Sequence, residues 1–297
     1  MSREIRTVVD GMSFTECPRW HDGRLWFVDF YTHAVYSAAG DGSDRRTELE
    51  IPAQPSGIGW LPDGRLIAVS ARDHRILRRE DDGSVVTHAD LSGRVPAQLN
   101  DMIVDEATGR AWVGNFGFDL MGGAPVGPTT LYRVDPDGSV TAAAEDLWFP
   151  NGSVLSGGVL LVDETFGNRI SAFDVHDDGS LGPRRDWARF GDLPTASDLE
   201  SVLGGQLTVA PDGCSVLDAE GCLWVADALG GRAIRVREGG EIVDSVEPGT
   251  GVYACGLGGA DGRTLYLCAA PDFLEHNRRD TREAAVLATT VDVPAAG

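Results

Sequence analysis

The sequence predicts an all-β fold, a six-bladed β-propeller closed by pairing of its N- and C-terminal strands, and three observations carry that prediction. A unit made of a glycine-anchored turn, an apolar strand, a polar link and a second strand recurs six times. Its apolar runs are short, rich in Val, Leu and Trp, and bounded by turn formers, which is strand rather than helix chemistry. Glycine supplies 38 of 297 residues while hydrophobic residues still make up 42 %. That excess over the usual share of about 7 % therefore marks many tight turns rather than disorder.

The units follow one another in order. The first runs Asp22-Gly23-Arg24-Leu25-Trp26-Phe27-Val28, then Ala34-Val35-Tyr36, then the turn Asp41-Gly42-Ser43. The second is Asp63-Gly64 to Val69 with Arg75-Ile76-Leu77, and the third is Gly109 to Val113 with Thr130 to Val134. The fourth is Gly158 to Val162 with Arg169 to Phe173, the fifth Gly221 to Val225 with Ala233 to Val236, and the sixth Asp261-Gly262 to Leu267 with Ala285-Val286-Leu287. The anchoring glycines 23, 64, 109, 158, 221 and 262 are 41, 45, 49, 63 and 41 residues apart. A repeat of about 40–50 residues holding four strands is one propeller blade. Asp-Gly between apolar runs is a strong hairpin signal. An open ring would leave unpaired edges, so Ile5–Val9 and Ala285–Val293 are expected to share the last blade. Residues 1–297 then form a single domain. The longest gap comes from Arg184–Gln206, a surface excursion with room for a short helical turn.

Charge and composition exclude several functions. Against 46 Asp and Glu stand 25 basic residues, all arginine, a net charge of −21. Nucleic acid and anionic membrane surfaces both demand basic patches, so neither is an expected partner. Without lysine there is no Schiff-base mechanism and no Walker-A phosphate loop. No run of about 18 apolar residues is present to span a membrane. The start lacks the apolar core of a secretory signal, and five cysteines at 17, 214, 222, 255 and 268 have no CxxC spacing. They read as reduced thiols of a cytoplasmic protein. Six scattered histidines sit in or beside polar turns, and no G-x-S-x-G elbow supports a serine hydrolase.

A propeller brings equivalent blade positions to one ring around its axis. Seven to nine residues upstream of the anchors stand Glu16, Ser56 with Gly57, Asn100, Asn151, Asp212 and Cys255. Four of these carry oxygen donors, two as carboxylates and two as amides. Such a set suits a hard divalent cation, Ca²⁺ ahead of Mg²⁺ or Mn²⁺, and argues against a Zn²⁺ centre of the His/Cys type. The competing reading makes Asn151-Gly152 and Asp212-Gly213 plain hairpin turns. Asp101 is either an outer carboxylate supporting the ring or a structural turn residue.

The runs Phe14-Thr15-Glu16-Cys17-Pro18-Arg19-Trp20, Leu99-Asn100-Asp101, Pro150-Asn151-Gly152 and Pro211-Asp212-Gly213 resemble the regucalcin/gluconolactonase/luciferin-regenerating-enzyme-like family. Leu223-Trp224-Val225-Ala226 and Gly230 to Arg235 resemble it too, so the likeness spans nearly the whole chain. It implies a six-bladed propeller holding one divalent metal, usually calcium, and in many members lactone hydrolysis; for the ion of this chain Mg²⁺, Mn²⁺ and Zn²⁺ are the further options after Ca²⁺. It implies that Glu16, Asn151 and Asp212 are metal ligands, that Asn100 is a ligand or a substrate contact, and that Asp212 is also the catalytic base or nucleophile. The function expected is therefore a metal-dependent lactonase, the metal polarising the carbonyl of a small-molecule lactone. Sugar-lactone members typically carry Arg two residues before the position of Asn100, where this chain has Gln98. Phe118 and Met121 lie in a Gly/Pro-rich insertion, Phe116–Thr130, and Trp148 precedes the Asn151 motif. Gln98, Asn100, Phe118 and Trp148 are accordingly the expected substrate contacts, for a lactone with a hydrophobic or aromatic portion. A related ester or organophosphate hydrolase, and a calcium-binding or protein-interaction propeller without catalysis, are the alternatives. Monomer and small homo-oligomer are both compatible with the sequence.

Overall fold

A computed structural model of the protein describes residues 3–296. Among the described residues, the strands form six four-stranded antiparallel sheets. Blade 1 comprises Thr15–His21, Arg24–Asp29, Ala34–Ala38 and Arg46–Glu50, and blade 2 comprises Pro55–Trp60, Leu66–Ser70, Arg75–Arg79 and Val85–Asp90. Blade 3 is Leu99–Val104, Ala111–Asn115, Thr129–Val134 and Val140–Leu147, and blade 4 is Pro150–Ser156, Val159–Glu164, Arg169–Asp174 and Arg185–Arg189. Blade 5 is Pro211–Leu217, Leu223–Asp227, Arg232–Val236 and Ile242–Val246. This is the six-bladed β-propeller expected from the repeat.

Blade 6 joins the two ends of the chain. Gly251–Gly258, Thr264–Ala270 and Ala284–Thr290 are completed by the N-terminal strand Arg6–Met12, which pairs antiparallel with the last of them (Arg6 with Ala288, Met12 with Ala284). The pairing slips twice, so the N-terminal strand extends three residues beyond the predicted Val9 and the C-terminal one stops at Thr290.

The anchoring glycines behave as their turns require. All six adopt φ between 70° and 84°, the left-handed region where a Cβ is strained. Trp112 and Trp224, fully buried, and Trp26 pack from the second strands into apolar layers that fill the wedges between blades. Two short helices, Leu199–Leu203 and Glu275–Arg278, lie outside the sheets. The first is capped by Asp198, whose carboxylate accepts from Ser201 N at 2.8 Å, and lies in the predicted excursion. No helix among the described residues is long and apolar enough to cross a membrane.

Candidate active site at the mouth of the propeller channel

Gly152 and Gly213 sit within inner strands, and neither has positive φ, so these are not hairpin turns. A Cβ on Gly152 would stand 2.5 Å from Asp212 O and Cys214 N, and one on Gly213 would stand 2.3 Å from Ala254 Cβ. Glycine here lets neighbouring inner strands close tightly around the axis, and the residue before each is thereby turned toward its counterparts.

Glu16, Asn100, Asn151 and Asp212, from blades 1, 3, 4 and 5, all line one cavity of about 780 Å³, open mouth included. The backbone leading into three of these positions is held by an acidic side chain at the end of the same blade's second strand. Asp29 accepts from Ser13 N at 2.6 Å, Glu164 from Trp148 N at 2.8 Å, and Asp227 from Ala210 N at 3.1 Å. These buried carboxylates thus satisfy the loops that deliver Glu16, Asn151 and Asp212. Glu164 is further paired with Arg169 at 2.8 Å.

The two amides are oriented through their nitrogens. Asn151 Nδ2 donates to Thr165 Oγ1 at 3.1 Å and to Asp212 Oδ1, while Thr165 Oγ1 donates to Pro211 O at 2.8 Å. Asn100 Nδ2 donates to Pro150 O at 3.2 Å. With both NH₂ groups engaged by protein, the Asn100 and Asn151 carbonyl oxygens are left as acceptors, as is the second oxygen of Asp212. Glu16 accepts from Cys17 N at 3.1 Å, and Cys17 itself is left-handed at φ 51°. Gln54 and Phe149, two further non-glycine residues with positive φ, also line the cavity. Such outliers collect at functional sites.

Beneath the ring, Asp101 lies within its strand rather than in a turn. Both its oxygens bond Arg19 Nη2, at 3.0 and 3.1 Å, Met102 N donates to it at 2.7 Å, and Cys17 Sγ donates at 3.2 Å. This buried pair ties blade 1 to blade 3 across the channel. Asp163, wholly buried on blade 4, has no hydrogen-bond partner at either oxygen. Burial pushes the carboxyl groups of Glu16 and Asp212 well above the usual range. Asp212 and Asp101 reinforce this at Glu16, and Asp163 and Asp101 reinforce it at Asp212.

Among the described residues, no basic side chain lines the cavity. Two desolvated carboxylates without a cation, flanked by two free amide oxygens, fit a hard divalent ion by donor chemistry. No His or Cys lines the cavity, and among the described residues no three His, Cys, Asp or Glu side chains cluster as a metal site. Any ion here would rely on amide, backbone or water oxygens for its remaining ligands.

Gln98 also lines the cavity. Phe118 and Trp148 do not: they stand behind its wall. Phe118 packs on Phe149 at 5.8 Å and on Phe166 at 5.3 Å between ring centroids, and of this cluster Phe116, Phe149 and Phe166 line the cavity, as do Phe14, Phe30 and Phe273 elsewhere. At blade 6 the cavity residue is Tyr253, nine residues before its anchor as Asn100 and Asp212 are before theirs, rather than Cys255; Cys255 is buried against Gly213 O at 3.6 Å. Blade 2 contributes Gln54 in place of Ser56. Thr165, Tyr31 and Glu275 complete the polar lining that blade periodicity did not single out.

A closed six-bladed ring with an oxygen-rich axial cavity defines the class of small β-propellers built around a central site. Residues 14–271 match the family described as SMP-30/Gluconolactonase/LRE-like region, and the chain belongs to that family. It is similar to 6-deoxy-6-sulfogluconolactonase of Pseudomonas putida, 26 % identical over 99 % of this chain and 97 % of that protein. It is also similar to pentonolactonase XacC of Haloferax volcanii, 27 % identical over 89 % of this chain and 84 % of that one. Among solved structures, a calcium-binding protein, regucalcin, from Agrobacterium tumefaciens superposes with a TM-score of 0.77 at 19 % identity, covering 100 % of this chain and 96 % of that one. The family and its named lactonases support lactone hydrolysis as the general activity.

Proposed function

We propose that this protein is a metal-dependent lactonase whose substrate carries a hydrophobic portion, acting in the cytoplasm on a small-molecule lactone. The observation that carries the reading is the convergence of Glu16, Asn100, Asn151 and Asp212, from four blades, on one cavity free of cationic side chains. Glu16, Asn151 and Asp212, with Asn100 beside them, would hold the ion, and the likeness to a calcium-binding regucalcin favours Ca²⁺ over Mg²⁺, Mn²⁺ or Zn²⁺. When bound, the ion supplies Lewis acidity toward the lactone carbonyl and a positive charge that favours ionised carboxylates.

The chain's own groups do the rest. Asn151 fixes one oxygen of Asp212 by hydrogen bonding and leaves the other to act. That oxygen either takes the proton of an attacking water or attacks the carbonyl carbon itself. Where water attacks, the ring C–O bond breaks as water adds across it; where Asp212 attacks, the bond breaks to leave a mixed anhydride on Asp212 that water then hydrolyses, and either route ends in an open hydroxy acid. The Tyr253 phenol lines the same cavity, and burial pushes its pKa up, so it stays protonated and available as a hydrogen-bond donor. Around this polar floor the walls are apolar, with Phe116, Phe149, Phe166 and Leu120 among the lining residues, which supports a substrate less polar than a sugar lactone.

The test is a panel of sugar, alkyl and aryl lactones and aryl esters, run on chelated protein and again with each metal restored. Activity is expected to depend on metal and to be lost in Asp212→Ala. Turnover that survives both chelation and Asp212→Ala refutes the mechanism, and faster hydrolysis of gluconolactone than of alkyl or aryl lactones refutes the hydrophobic-substrate assignment.

A further inference from the structure

The excursion between blades 4 and 5 lacks any counterpart in the repeat, yet its residues Leu203 and Leu207 line the cavity. It is firmly built. Val202, within the helix Leu199–Leu203, is completely buried. Gln206 Oε1 accepts from Thr195 N at 2.7 Å and Ala196 N at 3.1 Å, and Asn168 Nδ2 donates to Asp192 O and Gln206 O at 2.8 and 2.7 Å. The second insertion, from blade 3, is joined to it through Val126 N donating to Ser197 O at 2.7 Å. Phe116, Phe118, Val126, Phe149, Phe166 and Val202 form one apolar cluster beneath both insertions. The two insertions therefore act as a single roof with its own core.

The cavity lining is mixed as a result. Gln54, Gln98 and Glu275 are polar, and Arg72 bridges Gln54 Oε1 at 2.7 Å and Glu275 Oε1 at 2.8 Å. Leu203, Leu207, Leu120, Met121 and Leu229 add an aliphatic set to the aromatic lining of Phe14, Phe30, Phe116, Phe149, Phe166 and Phe273. Met121 and Leu229 remain 39 % and 42 % exposed while lining the cavity, so its aliphatic lining reaches open solvent.

From this arrangement we infer that Leu203 and Leu207 are specificity-determining residues that seat a flexible alkyl substituent of the lactone, the chain leaving the site between Met121 and Leu229. The inference rests on the lactonase reading for its substrate class. Beside the aromatic lining, this aliphatic set with its exposed members suits a chain of variable length that continues into solvent, which a compact aryl group would not reach. The lactone ring, at the other end of such a substrate, comes to lie over Asn100, Asn151 and Asp212 on the floor.

The experiment uses the full-length protein with calcium supplied and a series of γ-lactones whose substituent grows from methyl to dodecyl. Each methylene taken up beneath the roof raises kcat/KM by about fourfold, from the hydrophobic gain per buried CH₂. The increase levels off once the chain passes Met121 and Leu229. In Leu203→Ser/Leu207→Ser, the ratio of long-chain to short-chain kcat/KM falls on the order of tenfold or more, while Leu203→Met preserves it. Both leucines are half-buried, so the variants are expected to fold, which circular dichroism checks. Calorimetric binding of the matching alkyl-substituted lactams gives a readout without turnover, and affinity is expected to rise with chain length in the same way. Lactone hydrolysis with no dependence on chain length overturns the inference and leaves the lactonase reading standing. Chain-length-dependent lactam binding without hydrolysis of any lactone upholds the apolar site and sinks the lactonase reading. Flat lactam affinities, or an unchanged ratio in the double variant, overturn the inference in either case.

Discussion

Arg19→Met isolates the contribution of the Arg19–Asp101 ion pair, which joins blades 1 and 3 under the site. Arg19 Nη2 stands 3.0 and 3.1 Å from the two oxygens of Asp101, which is only 6 % exposed. At that separation, with an effective dielectric near 20, the attraction is roughly 5 kcal/mol. Methionine keeps most of the apolar stem and removes the charge, leaving Asp101 with only the Met102 N–H and the Cys17 thiol as donors. Removing one partner of a buried pair costs about 3–5 kcal/mol, because the remaining charge has been taken out of water. Thermal denaturation should register a drop on the order of 10 °C. Asp101→Leu alone leaves the guanidinium uncompensated and is expected to cost a similar amount. The double variant Arg19→Met/Asp101→Leu should recover most of the loss, since a matched apolar pair avoids both desolvation costs. Urea denaturation of all four proteins measures the coupling. A loss below about 1 kcal/mol in Arg19→Met, or additive losses in the double variant, would refute the argument that the pair is tightly coupled.

Two further outcomes follow from the ring itself. Glu16 and Asp212 have raised pKa values, so the folded chelated protein binds more protons than the unfolded chain; stability is then present at acid pH and is lost as pH rises above the ordinary carboxylate range of about 4. Asp212→Asn removes one such group, so its stability relative to wild type should increase between pH 5 and pH 8 in chelator; a parallel pH dependence in the two proteins would contradict the assignment of cause. Thr165→Val deletes both the acceptor for Asn151 and the donor to Pro211 O. It should reduce metal affinity or kcat/KM by about 10–100-fold, as loss of a ligand-orienting group does, and cost about 1–3 kcal/mol of stability; activity within twofold of wild type would show that the amide orients itself.

What could be read from the sequence was whatever the blade repeat dictates. The six glycine anchors need φ > 0, so their spacing reports the turns directly, and from the turns the ring positions Glu16, Asn100, Asn151 and Asp212 can be counted. Counting fails where the distance from ring to anchor varies. It is seven residues for Glu16 and Asn151 but nine for Asn100 and Asp212, so at blade 6 it reaches Cys255 where Tyr253 lines the cavity, and at blade 2 the left-handed Gln54 enters ahead of Ser56. Adjacent residues on a loop can face opposite ways, which is why Phe149 lines the cavity and Trp148 does not. Leu203 and Leu207 belong to an insertion without periodicity, so only the folded chain reveals them as part of the wall. A usable signal did exist for the supports: Asp29, Glu164 and Asp227 all end second strands, 13 to 15 residues after Glu16, Asn151 and Asp212.

The shared sixth blade makes the site a late product of folding. As the chain leaves the ribosome, Arg6–Met12 has no partner until Ala284–Thr290 has been made, almost at the other end of the sequence. Five sheets can take shape before that, but the ends of the row stay apart, and Glu16 on the first is not yet held at its final distance from Asp212 on the fifth. Pairing elements so distant in sequence is slow, because loop closure must precede any gain from contact. During biosynthesis, then, the complete cavity lining of Glu16, Asn100, Asn151 and Asp212 arrives only with the closing strand pair, and its onset is a clock for the moment the circle is completed.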